Sequence, residues 1–266
     1  MTPAAAPLAL APATSAPAPL PPFPADGPCY ARYTAPVLPV EAIPPDRLFI
    51  VNTLPKSGTV WMVAMLSHLL GRPAGERVLL SHVADLAEDL DRPQVHGAVV
   101  MVRDLRDVVV SWFHETLRSD ARAGFEAARF PTVEAFYFEH LLGLLRTRAR
   151  FAEGRFETWL DAATARGFPL LRYEDTRADP AAALRKVMTA WKITVPDAEI
   201  AATVAAHRFE AMADTARRTG GPVAEAVAAG HLRRGRPGGW REDLPDSVQA
   251  DIARRFGAFQ ERLGYG

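Results

Sequence analysis

Four short, largely apolar runs, three of them followed by a stretch with helical spacing, narrow what this chain can fold into. They are Leu48–Asn52 (LFIVN), Arg77–Leu80, Gly97–Val102 (GAVVMV) and Phe168–Tyr173 (FPLLRY). The runs are too short for helices and are not an alternation of polar with apolar residues, so they read as strands buried on both faces of a sheet. Between them, Thr59–Leu70 carries a broad apolar face ended by Gly71 and Pro73. A second helix is predicted from Asp107 to about Leu117, and a third opens at Asp179-Pro180 and runs to about Trp191. Strands alternating with helices predict an α/β, three-layer, P-loop-like domain with a central parallel sheet and helices on both faces. In such sheets ligands bind beyond the carboxyl ends of the strands, which is where chemistry is sought.

Residues 1–28 hold nine Pro and nine Ala, with Asp26 as their sole charge. That stretch lacks the basic and apolar regions of a secretory leader and has too little to bury to offset its ordering entropy. Residues 1–44 are therefore expected to be a flexible tail and lead-in, and residues 45–266 one domain. Basic and acidic residues balance at 31 each, which argues against a protein that coats nucleic acid or an anionic membrane. Cys29 is the single cysteine, and no Cys/His cluster has zinc spacing. No apolar run reaches the roughly 18 to 20 residues of a spanning helix. A metal-independent, cytoplasmic protein is the expectation.

The first strand runs into Leu54-Pro55-Lys56-Ser57-Gly58-Thr59-Val60-Trp61 and then a helix. Gly58 permits a tight turn, the free N–H groups and dipole of a helix start favour an anion, and Lys56, Ser57 and Thr59 add charge and hydroxyl donors. The Walker pattern GxxxxGK[ST] is absent, since the lysine here precedes the glycine. A plain strand–turn–helix corner with a solvated lysine accounts for the same residues. The third strand ends in Arg103-Asp104-Leu105-Arg106-Asp107, with Ser111 expected on the first turn of the helix. An arginine fork and a hydroxyl suit a second phosphate, and a surface arginine paired with Asp104 or Asp107 is the alternative.

Together these blocks resemble the cofactor-binding signatures of sulfotransferases that use 3′-phosphoadenosine 5′-phosphosulfate (PAPS), most closely the cytosolic family. Leu171-Arg172-Tyr173-Glu174-Asp175 resembles that family's Tyr-Glu-Asp segment, and residues 231–241 (HLRRGRPGGWR) resemble its C-terminal basic, glycine-rich loop. The resemblance implies transfer of a sulfuryl group from PAPS to a hydroxyl or amine of a small acceptor, leaving adenosine 3′,5′-bisphosphate (PAP). It implies that Lys56 neutralises charge on the bridging oxygen and that Ser57, Gly58, Thr59 and Val60 hold the 5′-phosphate. Arg103, Ser111, Arg233, Arg234 and Gly235 would hold the 3′-phosphate, with Trp61 and Phe209 around the adenine and Tyr173 near the base. His82 stands about where the family keeps its catalytic histidine, and an unperturbed pKa near ~6.5 suits a general base. Without the family, Trp61 and Phe209 read as core, His82 as a loop residue, and 233–236 as a solvated basic turn.

The chain departs from the family pattern at several positions. Leu80 stands where a lysine is usual, Val60 replaces a hydroxyl residue, His207-Arg208 precedes Phe209, and Gly239 replaces an aspartate before Trp240. The family's short dimer motif is not recognisable, which leaves the oligomeric state open. Residues 118–167, with a helix predicted from Thr132 to Ala149, would border an acceptor pocket or simply pack on the sheet. Two competing functions are an ATP-dependent phosphotransferase on a P-loop sheet and a non-catalytic nucleotide-binding module.

Overall fold

The computed structural model describes residues 37–82, 94–147, 167–208, 211 and 237–266. Strand β1 (Leu38–Pro39) leads to β2 (Leu48–Thr53), helix α1 (Thr59–Leu70), β3 (Val78–Ser81), β4 (Val95–Val102) and α2 (Leu105–Arg122). Then come α3 (Val133–Phe136), a π-helical turn over Tyr137–Leu141, α4 (Leu142–Thr147), β5 (Leu170–Arg172), α5 (Tyr173–Ala178) and α6 (Pro180–Ala190). The chain continues through β6 (Ile193–Thr194), α7 (Asp197–Ala206), α8 (Trp240–Asp243) and α9 (Asp246–Arg262).

The main sheet has the order β3-β2-β4-β5 and every pair is parallel. Its middle strands feed two cores. Ile50, Ala98, Val100 and Val102 face α2, the 133–145 segment and α9, while Phe49, Val51, Val99 and Met101 face α1, α6 and α7. Successive side chains of a strand point to opposite faces, so the unbroken apolar runs are what a sheet covered on both sides requires. The three-layer α/β architecture is the one expected from the sequence.

Element bounds differ from expectation in instructive places. Helix α2 begins at Leu105, because Asp104 caps it by accepting from the Arg106 amide at 2.9 Å. Ser111 consequently lies on the second turn rather than the first. The fourth strand ends at Arg172, and Tyr173 opens α5 instead of closing the strand. The helix expected over Thr132–Ala149 is divided by the π-helical turn, within which Tyr137 is buried and donates to Asp251 at 3.0 Å. Near the start, Leu38 pairs with Ile193 and Ile43 is buried, so the lead-in already contacts the domain there.

Candidate active site

The loop between β2 and α1 reaches the carboxyl edge of the sheet. Lys56 has a φ of 69°, a left-handed conformation that costs a side-chain-bearing residue on the order of 1 kcal/mol. Arg103 holds it there, donating from Nη1 to the Lys56 carbonyl at 3.0 Å. Gly58, at φ 88°, precedes α1, and no side chain caps the helix start. A Cβ on Gly58 would stand 2.8 Å from the Tyr173 ring, so glycine is needed here both for conformation and for close approach. Arg103 also packs over that ring, its guanidinium carbon 4.3 Å from the ring centroid. Cradle, strand-end arginine and Tyr173 thus form one contiguous wall.

Two buried polar atoms of this wall, Ser57 Oγ and Arg103 Nε, have no hydrogen-bond partner among the described residues. Buried polar groups are ordinarily paired, so both are donors in want of an acceptor. Arg103 also approaches Asp107 at 3.5 Å, and both side chains are buried, so the pair forms as the alternative had it but Arg103 is not a surface arginine. Asp107 in turn accepts from the Gly238 amide at 2.7 Å and the Trp240 amide at 3.0 Å. That carboxylate fastens residues 238–240 beside the end of β4.

His82 lies just past β3 and turns toward the cradle. Its Nδ1 is 3.0 Å from the Thr53 carbonyl and 3.1 Å from Thr53 Oγ1. A carbonyl only accepts, so Nδ1 carries the proton and the neutral ring presents a bare Nε2. Thr53 Oγ1 also bonds the Thr59 hydroxyl at the start of α1. The residue as a whole is exposed at the strand end, and the Nδ1 edge of its ring is desolvated against Thr53. That desolvation is the largest cause of a pKa below the ordinary imidazole value. The Thr53 carbonyl opposes the shift and the Lys56 charge adds to it.

The remaining expected site residues fall into three groups. Trp61 is buried and donates to the His207 carbonyl at 2.8 Å, pinning α1 to the end of α7. Val60 and Ser111 are half-buried on α1 and α2. Phe209, Arg233, Arg234 and Gly235 lie outside the described residues. Leu80, in the place of the family's second cation, is exposed on edge strand β3.

Glu115 was not anticipated from the sequence. It projects from α2 to within 3.5 Å of Lys56 Nζ and also binds Arg118 at 2.8 Å and Arg122 at 3.2 Å. Burial lowers the Lys56 pKa, Glu115 opposes that shift, and Arg118 and Arg103 reinforce it. The signal available in sequence was its position four residues after Ser111, on the same helix face. Among the described residues no group of three metal-ligating side chains occurs, and no helix is long and apolar enough to cross a membrane.

Comparison with known proteins bears on what such a crevice serves. The sulfotransferase domain model matches residues 97–264. No curated protein matches the chain closely enough to count as a relative. Among solved structures, mouse sulfotransferase SULT7A1 complexed with PAP overlays with a TM-score of 0.58 at 18% identity, covering 81% of this chain and 85% of that one. Retinol dehydratase in complex with androsterone and inactive cofactor PAP gives a TM-score of 0.58 at 16% identity, covering 87% and 84%. Its complex with retinol and PAP gives 0.54 at 15%, with the same coverage. The overlays share the three-layer fold, and the matched domain spans well over half of the sequence: the chain belongs to the sulfotransferase domain family.

Proposed function

We propose that this enzyme transfers a sulfuryl group from PAPS to a hydroxyl or amine of a small acceptor, with Lys56 at the leaving oxygen and His82 as general base. The observation that carries the proposal is the orientation of His82, whose Nδ1–H is committed to the Thr53 carbonyl so that Nε2 is free to accept a proton beside Lys56. The donor supplies a sulfuryl group already activated on a phosphate leaving group. The wall fits such a ligand: phosphate oxygens are the acceptors that Ser57 Oγ and Arg103 Nε lack, and an uncapped helix start faces them.

In this reading Ser57, Gly58, Thr59 and Val60 hold the 5′-phosphate. Arg103 and Ser111, with Arg233, Arg234 and Gly235, take the 3′-phosphate, while Trp61, Phe209 and Tyr173 take the base. Tyr173 also serves the cradle from behind, through its contact with Gly58. His82 Nε2 receives the proton of the acceptor as its oxygen or nitrogen closes on sulfur. The Lys56 ammonium faces the bridging oxygen, on which the electron pair of the breaking S–O bond settles. The solved relatives bound to retinol or androsterone and PAP support a small-molecule acceptor.

Incubation with 35S-labelled PAPS and a panel of phenols, alcohols and amines tests the proposal. Label is expected on at least one acceptor without added divalent metal. Phosphate transfer from γ-labelled ATP instead would favour a kinase, and PAP binding with no transfer to any acceptor would favour a non-catalytic module.

A further inference from the structure

We propose that Glu115 is a positioning residue for Lys56, its carboxylate holding the lysine ammonium beside the cradle until the donor's anion takes it over. The inference rests on the reading of Lys56 as a donor-binding residue. Its ground is a geometry that none of the recognised motifs contains. Glu115 sits on α2, and among the described residues its two oxygens are shared by three cations: Oε1 by Arg122, and Oε2 by Arg118 and Lys56. Both Lys56 and Glu115 side chains are largely buried, with 11% and 14% exposed.

The distances rank the three partners. Arg118 lies at 2.8 Å and Arg122 at 3.2 Å, whereas Lys56 lies at 3.5 Å. The short bonds to arginine fix the carboxylate, and the longer one restrains the lysine loosely. A flexible four-carbon stem otherwise samples many rotamers. Restraining it beforehand lowers the cost of aligning the ammonium with an incoming anion. The backbone contributes too, since Arg103 already holds the Lys56 carbonyl.

The same arrangement sustains the charge that Lys56 needs. Among the described residues, the charged groups facing it include Glu115 and Arg118 on α2, with Arg122 on the same carboxylate, Arg103 at the end of β4 and His82 past β3. Burial, Arg118 and Arg103 all disfavour the ammonium, and Glu115 favours it. Removing that carboxylate therefore takes away a cause that favours the ammonium and leaves the disfavouring ones in place.

The chain has only three lysines, Lys56, Lys186 and Lys192, so NMR of protein carrying 13C-labelled lysine resolves each titration, with K56R assigning the signal. In Glu115→Gln the Lys56 midpoint is expected to fall by about one to three pH units, the usual reach of a neighbouring opposite charge. Glu115→Asp should restore most of it. A Glu115 that merely braced α2 would lower stability and leave the Lys56 midpoint where it was, and that result in folded Glu115→Gln overturns the inference. Should Glu115→Gln fail to fold, Glu115→Met takes its place, and an unchanged Lys56 midpoint there overturns it equally. Adding PAP to the wild-type protein should perturb the Lys56 signal and spare Lys186 and Lys192. Failure of that step alone would count against the donor reading while leaving the Glu115–Lys56 coupling standing.

Discussion

Replacing His82 with alanine is expected to lower turnover by about 10²- to 10⁴-fold, the range of a positioned general base, while PAP binding stays within a factor of about 3 of wild type. The expectation follows from atoms rather than from the histidine's presence alone. With Nδ1–H fixed on the Thr53 carbonyl, Nε2 is the nitrogen able to receive a proton. Burial and the Lys56 charge keep the ring neutral at physiological pH. The sign of the pH dependence follows. With His82 as the base, turnover requires its neutral form, and its pKa lies below the ordinary ~6.5, so kcat is expected to be flat near neutrality and to fall as pH drops below its pKa. His82→Ala should abolish this acid limb together with the rate. A variant with wild-type turnover, or one retaining the limb, would show that another group accepts the proton.

Lys56→Ala should cost comparably, by about 10²- to 10³-fold in kcat. Removing one preorganised donor from a site of developing charge typically costs about 3 to 4 kcal/mol. Unlike the histidine change, it should also weaken donor binding, since the ammonium meets negative charge in the ground state as well. The loop itself should survive, because Arg103 grips the Lys56 carbonyl rather than its side chain. Circular dichroism and melting temperature should therefore match wild type. Turnover within threefold of wild type, in a folded variant, would remove Lys56 from the chemistry.

Much of this site is legible in the sequence because its parts are local. Lys56, Ser57, Gly58 and Thr59 are contiguous, and a strand–turn–helix junction fixes their relation before any tertiary contact forms. The strands are equally plain, since a sheet buried on both faces demands unbroken apolar runs such as Gly97–Val102. What escapes is whatever depends on distant partners. Glu115 meets Lys56 across 59 positions of chain, and its place one turn after Ser111 is the one local sign of it. Asp107 looks like a helix-start acid, while its carboxylate is spent on the amides of Gly238 and Trp240. Tyr173 reads as the last residue of an apolar strand, yet it is a helix start whose ring closes over Gly58. The π-helical turn at Tyr137–Leu141 is invisible to periodicity because it belongs to the packing of Tyr137 on Asp251. Helices α7 and α9 carry readable apolar spacing, as in Val248, Ile252, Phe256 and Phe259. No motif drew attention to them.

The central claim is that the wall of Lys56, Ser57, Gly58, Arg103 and Tyr173 binds the bisphosphate of a PAPS-type nucleotide. Calorimetric titration with PAP, beside ATP and 5′-AMP, each with and without magnesium, tests it without knowledge of the acceptor. The account predicts saturable PAP binding that is indifferent to magnesium and at least tenfold tighter than that of either other nucleotide. No PAP binding, or magnesium-dependent binding of ATP in preference to PAP, would contradict it.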